Sequence, residues 1–362
     1  MPFSPAITDH RDDPKAWARA LGVSEHAVAL YLASEVVDLH IDLYVPARLY
    51  GYDVHKRHKP WFLGWRFTGH TDLPRIREAR LAVAVLDIAT NPARAPDRRA
   101  DYARRNLARV SEDLAKHPDD LRVVKNHTEY LEARAQGLTA CYLAVQGGQA
   151  FEALFGGETP PAELPSELHR ITLLHLTNSQ IGCTSSPLGP DRGGLTSRGF
   201  ELVAAMNRAR ILVDLAHINR AGFFDAVKAH DRTQPLICTH TGVSAVYHHW
   251  RNLDDEQIRA VADTGGVVGI MLHGLFLDGS KWRYVEPEWV VRHMEHVVRV
   301  AGEGAVALGT DYDGMVIPPR GLGEITRLPV LVQCLLDAGW PEARIQAALG
   351  RNALRTFQHI RP

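Results

Sequence analysis

Eight short apolar runs, each closing on polar side chains, recur along the 362 residues of this chain. They are Val36–Asp42, Leu81–Asp87, Ala140–Gln146, Ile171–His175, Ile211–His217, Leu236–His240, Val267–His273 and Val306–Asp313. Runs this short, with so little polar alternation, suit strands covered on both faces, as in a parallel sheet. Segments with helical spacing lie between them, among them Asp101–His117, Ser197–Arg208, Asp254–Thr264 and Glu288–Ala301. Strand and helix alternating eight times predicts an α/β chain folded as a single (β/α)8 barrel of the TIM type. An open doubly wound sheet shares that alternation, but the chain has neither G-x-G-x-x-G nor G-x-x-x-x-G-K-[ST], which lowers a nucleotide-binding reading. Two helical stretches, Pro14–Leu21 and Ser24–Ser34, precede the first run. The expected layout is therefore a helical extension over residues 1–35 and a barrel domain over residues 36–362.

Composition narrows the function classes. With 41 Lys and Arg against 42 Asp and Glu, the formal net charge is −1, and 45% of the residues are hydrophobic. A nucleic-acid binder would carry a basic excess and a disordered chain fewer apolar residues. Cys141, Cys183, Cys238 and Cys334 are far apart and form no C-x-x-C pair. They read as reduced, buried thiols of a cytoplasmic protein. No apolar signal segment opens the chain and no stretch is apolar enough to span a membrane, so no membrane partner is expected.

In a (β/α)8 barrel the chemistry sits at the C-terminal ends of the strands. The eight runs place His40 and Asp42, Asp87, Gln146, His175, His217, His240, His273 and Asp311 on that rim. His40 and Asp42, two apart on a strand, project to one face and can reach one cation. His217 and His240 end consecutive runs and are expected side by side. Imidazole with carboxylate is a suitable ligand set for zinc. His273 and Asp87 read more simply as strand-end residues hydrogen-bonded to neighbouring loops. The 19 histidines thus divide, most of them lying away from the rim. A Ser-His-Asp hydrolase would need a G-x-S-x-G elbow and a gluzincin H-E-x-x-H, and both are absent.

Together these residues resemble the renal, or membrane, dipeptidase family of zinc metallopeptidases, among the amidohydrolase-type barrels. The resemblance runs from about Val36 to Phe357 and is most specific at Val37-Asp-Leu-His-Ile-Asp42, His70-Thr-Asp-Leu-Pro-Arg75, Ile171-Thr-Leu-Leu-His-Leu-Thr-Asn178, Leu212-Val-Asp-Leu-Ala-His217, Cys238-Thr-His-Thr241, Arg251-Asn-Leu-Asp-Asp255 and Ala307-Leu-Gly-Thr-Asp-Tyr-Asp-Gly314. It implies that His40 and Asp42 hold one zinc ion and His217 with His240 a second. It gives His175 the task of polarising the scissile carbonyl, Arg251 that of gripping the substrate's carboxylate, and Asp311 that of moving protons. The implied substrate is a dipeptide or related small amide, and a homodimer is compatible with it.

One position departs from the family pattern. Gln146, in Leu143-Ala-Val-Gln-Gly-Gly148, falls where the resemblance calls for a glutamate that bridges both metals. An amide is neutral, offers a single ligand oxygen and presents an NH2 donor. The expected centre therefore has one or two zinc ions, with Gln146 as the weakest of its metal positions. The alternative is a repurposed barrel that binds a small carboxylate ligand without hydrolysing dipeptides.

Overall fold

The computed structural model describes residues 9–59, 64, 66–89, 94–156, 163–187, 189–190 and 192–362. The described strands are β1 (Val37–Ile41), β2 (Val83–Ala89), β3 (Leu121–Val123), β4 (Thr139–Gln146), β5 (Leu168–Thr172), β6 (Leu212–Asp214), β7 (Leu236–Thr241), β8 (Val267–Ile270) and β9 (Val306–Leu308). They pair in the order β1-β2-β4-β5-β6-β7-β8-β9, every pair parallel. Just past the strands, Ile41 bridges Tyr312 and the Asp42 amide donates to the Tyr312 carbonyl at 2.8 Å. The eight parallel strands thus form a nearly closed barrel of the TIM type, ringed by helices.

The ninth strand is an addition that the apolar runs did not announce. β3 pairs with Thr139–Cys141 of β4, while β5 pairs with Leu143–Gln146. Since β2 takes Ala140–Gln146 along the other edge, β3 and β5 share one edge of β4 end to end. With only Leu121 fully buried in Leu121-Arg-Val123, its sequence carries little of the signal of a covered strand.

Helices fill the expected intervals, each stopped and started by local chemistry. The helix Asp255–Ala262 opens on a capping box in which Asp254 accepts from the Gln257 amide and Gln257 returns the bond. Thr196 caps Ser197–Ala209 through the Gly199 amide. Before the barrel, α1 (Pro14–Leu21) is capped by Asp13 and α2 (Glu25–Leu32) by Ser24. They pack into the same apolar layer as the barrel helices, with Trp17 only 2% exposed and its indole N–H donating to the Thr326 carbonyl at 3.1 Å.

Strand parity separates two apolar layers. Ala84, Leu86, Cys141, Leu143, Val145, Val213, Val268 and Leu308 face the helices. Val37, Leu39, Val83, Val85, Ala140, Tyr142, Leu212, Ile237 and Val267 face the barrel interior, whose base is plugged by Leu354, Phe357 and Ile360 of the helix Asn352–Ile360. The interior parity carries upward to Asp87 on β2, Gln146 on β4, Arg170 and Thr172 on β5 and Asp214 on β6, as the registers Ala144↔Arg170, Gln146↔Thr172 and Thr172↔Asp214 require. One barrel interior is therefore apolar at its base and charged toward the C-terminal ends of its strands.

Candidate metal and substrate site

Both histidines nearest the barrel axis are aimed by irregularities in their strands. The β1–β2 register shifts between Asp38 and Ile41, and the β7–β8 register between Cys238 and Thr241. A bulge re-aims a side chain without breaking the sheet, and here it turns His40 and His240 inward, their ring centroids 3.9 Å apart. The Thr239 carbonyl at the second irregularity lies where any Cβ on Gly269 or Gly309 would stand, 1.9 and 1.8 Å away. Glycine at those two places is what lets β7 deform.

His175, His217 and Asp311 are not on strands. Each lies three residues past the end of its strand, β5, β6 or β9 respectively. Here the strands stop earlier than the apolar runs suggested, because the chain turns away into left-handed backbone at His217 (φ 66°) and Asp311 (φ 61°). Non-glycine residues in that region cost about 1–2 kcal/mol each, and such strain concentrates at functional sites. The Asp311 amide donates to the His40 carbonyl at 3.1 Å, which seats the Asp311 turn on β1.

The side chains converge. His40 Nε2 lies 3.5 Å from Asp311 Oδ1 and 3.6 Å from Asp42 Oδ2. A Cβ on Gly314 would stand 2.4 Å from Asp311 Oδ1 and 2.9 Å from Asp42 Oδ2, so glycine closes the turn around both carboxylates. His240 Nε2 is 2.9 Å from His217 Nε2, and the Gln146 amide nitrogen is 3.3 Å from the same His217 atom. His175 packs edge-on against His217, centroids 4.8 Å apart. His40, His240 and Asp311 bring one ligand atom each within 4.8 Å of one another, the one such group of three among the described residues. His40 Nε2 and Asp42 Oδ1 are buried without a hydrogen bond among the described residues. Orphaned buried donors and acceptors that converge, from nitrogen and oxygen ligands, fit a divalent ion such as zinc.

The hydrogen bonds behind the cluster preset the tautomers. Asp87 Oδ2 lies 2.8 Å from His40 Nδ1, so Nδ1 carries a proton and Nε2, 3.6 Å from Asp42 Oδ2, is the nitrogen turned to the site. Thr239 Oγ1 donates to Asp214 Oδ2 at 2.8 Å and is therefore left to accept from His240 Nδ1, also at 2.8 Å. Asp87 and Asp214 are themselves joined by Arg170, which bonds Asp87 Oδ2 and reaches Asp214 Oδ2 at 2.8 Å. Sequence reasoning passed over Arg170, Asp214 and Thr239. The signal was a charged residue in or just before an apolar run: Asp214 within Ile211–His217, and Arg170 immediately ahead of Ile171.

Electrostatics follows burial and these partners. Burial opposes charge on His40, but Asp87 and Asp42 outweigh it and raise its pKa well above the ordinary imidazole value. Burial, with the Asp42 and Asp87 carboxylates, pushes Asp311 up to about 8 against the opposing pull of His40 and Arg251, and burial raises Asp42. Burial, with His40 and Arg251 nearby, lowers His175 to about 3, and burial lowers His217 and His240 well below the usual range. Burial lowers Arg251 from its ordinary value. Arg251 is 4% exposed, donates to the His240 carbonyl at 2.8 Å and makes no ion pair with a carboxylate among the described residues. A buried guanidinium of that kind is a ready partner for an anionic ligand.

Other rim residues have structural work. His273 Nδ1 accepts from the Ile317 amide at 3.1 Å. Asp313 accepts from the amides of Gly69, His70 and Thr71 and from the Thr71 hydroxyl, fastening the loop after β1 onto the turn after β9. Asp72 caps the following helix, and its Arg75 reaches Glu324 at 2.7 Å, which accounts for the His70–Arg75 stretch.

Comparison with known proteins places the fold and the family. A relative from Klebsiella pneumoniae, an uncharacterized protein in the pqqA 5' region, is 37% identical over 179 residues, spanning 49% of this chain and 65% of that relative. The probable dipeptidase PvdM from Pseudomonas aeruginosa shares the fold at a TM-score of 0.77 and 16% identity, over 93% of this chain and 98% of its own. A metallopeptidase from Rhodobacter sphaeroides, liganded with a phosphinate mimic of the dipeptide L-Ala-D-Ala, shares it at 0.74 and 24% identity, over 90% and 99%. Residues 24–361 match the profile of the membrane dipeptidases, peptidase family M19, and the chain belongs to that family.

Proposed function

We propose that this protein is a metal-dependent hydrolase that cleaves a dipeptide or related small amide. The observation that carries the reading is a juxtaposition: a convergent His and Asp cluster lies beside a buried Arg251 that has no carboxylate partner among the described residues. His40, Asp42, His217, His240 and Asp311 are the residues that would hold the metal, and we assign zinc from their nitrogen and oxygen donors. Bound there, zinc supplies Lewis-acid chemistry and makes water a nucleophile near neutral pH.

The chain's own groups do the rest. Arg251 pairs with the substrate's terminal carboxylate and so fixes the scissile bond relative to the cluster. His175, held neutral, donates its N–H to the carbonyl oxygen as negative charge develops there. Asp311 takes the proton of the attacking water and delivers it to the departing amine. No described helix is long and apolar enough to cross a membrane. The four free thiols accord with a reducing compartment, and on that ground we assign the protein to the cytoplasm.

The test is a dipeptide panel, covering L and D residues at the C-terminal position, assayed by amine release with added zinc, cobalt or manganese. Hydrolysis that chelation abolishes and metal restores is the expected result. Absence of turnover with every metal, alongside saturable binding of the same dipeptides, would instead establish the repurposed binding barrel that Gln146 favours.

A further inference from the structure

The mouth of the barrel is divided by charge. Asp42 and Asp311 flank His40 on the side of β1 and β9, and neither faces a guanidinium in an ion pair among the described residues. Across from them stand Gln146, His175 and His217, with Arg251 on the His240 carbonyl and within electrostatic reach of Asp311. That second group is made of neutral imidazoles, an amide and a cation, with no carboxylate in it. Asp87 and Asp214, the nearest other anions, are turned toward Arg170 and toward imidazole and hydroxyl donors.

Cations need compensating anions when they leave water. One divalent ion beside His40 is balanced by Asp42 and Asp311. A second, placed between His217 and Gln146, would have no anionic ligand of its own and Arg251 for a neighbour. Gln146 cannot supply the charge, since its amide is neutral and its nitrogen is a donor.

We infer that this chain holds a single divalent ion, bound between His40, His240 and Asp311. His40 Nε2 and His240 Nε2 face the same space, the rings oriented through Nδ1 by Asp87 and Thr239. Asp311 Oδ1 points at the same space, which leaves Oδ2 for proton transfer. His217 borders the ion through its 2.9 Å approach to His240. Asp311 is then a ligand as well as a proton carrier, and Gln146 is the residue that limits occupancy to one.

This rests on the metal-dependent hydrolase reading, but its test needs no substrate. Purified protein is dialysed against zinc or cobalt and its metal content measured by elemental analysis, with the cobalt absorption spectrum as a second readout. The parent should hold one ion and Gln146→Glu two. Asp311→Asn should lose at least about tenfold in cobalt affinity and change the spectrum, because a ligand has gone. Two ions, or none, in the parent would overturn the inference. One ion in Gln146→Glu would overturn the part given to Gln146, and an unchanged affinity and spectrum in Asp311→Asn would overturn the ligand set. Far-ultraviolet circular dichroism and urea unfolding confirm that each variant is folded. A one-ion protein that cleaves no dipeptide would remove the hydrolase reading and keep this one, and a two-ion dipeptidase would do the reverse.

Discussion

The two ends of the barrel interior bury the same side chain with opposite outcomes. At the mouth, His40 and His240 are each held by a hydrogen bond on Nδ1 and turn Nε2 toward a common point. At the base, His169 is fully buried between Tyr142 and Phe357, centroids 4.1 and 4.6 Å away, with neither ring nitrogen hydrogen-bonded among the described residues. An imidazole becomes a ligand by having one nitrogen satisfied and the other aimed, not by being buried. What separates the ends is the layer between them, where Arg170 ties Asp87 to Asp214 in the space that apolar side chains usually fill in such barrels.

Removing that layer should have the largest effect. Arg170→Met leaves Asp87 and Asp214 as buried carboxylates without their shared cation, and stranding such charges costs about 3–5 kcal/mol. Urea unfolding should show the loss as a lower midpoint with an unchanged slope. Metal affinity should fall with it, because Asp87 would no longer be held against His40 Nδ1. A variant within about 1 kcal/mol of the parent would mean that the mouth does not depend on this layer.

The eight barrel strands and most helix spans were legible because burial on both faces and 3.6-residue spacing leave their mark in composition. The polar residues His40, His217, His240 and Asp311 were legible too, since they stand at or near the ends of apolar runs, and the structure brings them together. Three things were not. β3 is a three-residue strand whose pairing is bought by position along β4 rather than by apolar content. The supports of the site were hidden for a different reason: Arg170 meets Asp87 across 83 residues and Thr239 meets Asp214 across 25, and no local pattern records such contacts. His175, His217 and Asp311 were placed on strands and lie beyond them, because left-handed turns at two of the three have no sequence signature when the residue is not glycine.

A smaller effect is expected at Arg251, where the mouth meets its ligand. Arg251→Met removes a charge-assisted contact worth about 2–3 kcal/mol, so KM for a dipeptide should rise by about 30- to 150-fold. Metal content should stay unchanged, since Arg251 reaches the His240 carbonyl and not a ring nitrogen. Stability should hold or increase, because the residue is a buried charge without a carboxylate partner among the described residues. A KM that does not move, with kcat reduced, would reassign Arg251 from substrate anchoring to the reaction itself.

The smallest effect belongs to the base, and it tests the comparison from the other side. Burial, with Arg361 and Arg170 nearby, holds the His169 pKa well below the ordinary value of 6.5. The folded chain therefore keeps His169 neutral while the unfolded chain binds a proton as pH falls below about 6.5. The unfolded state holds more protons in that window, so His169 contributes a stability loss that is absent above pH 6.5 and grows by up to about 1.4 kcal/mol per pH unit below it. His169→Phe keeps the aromatic contacts with Tyr142 and Phe357 and removes both unsatisfied nitrogens. It should stabilise the protein by about 1–2 kcal/mol at pH 7.5 and by more at pH 5.5, read as a widening gap between urea midpoints. A gap that stays constant between those two pH values would show that His169 finds a partner in water. The base would then satisfy its imidazole as the mouth does, and convergence on a common point would be the one feature that distinguishes the two ends.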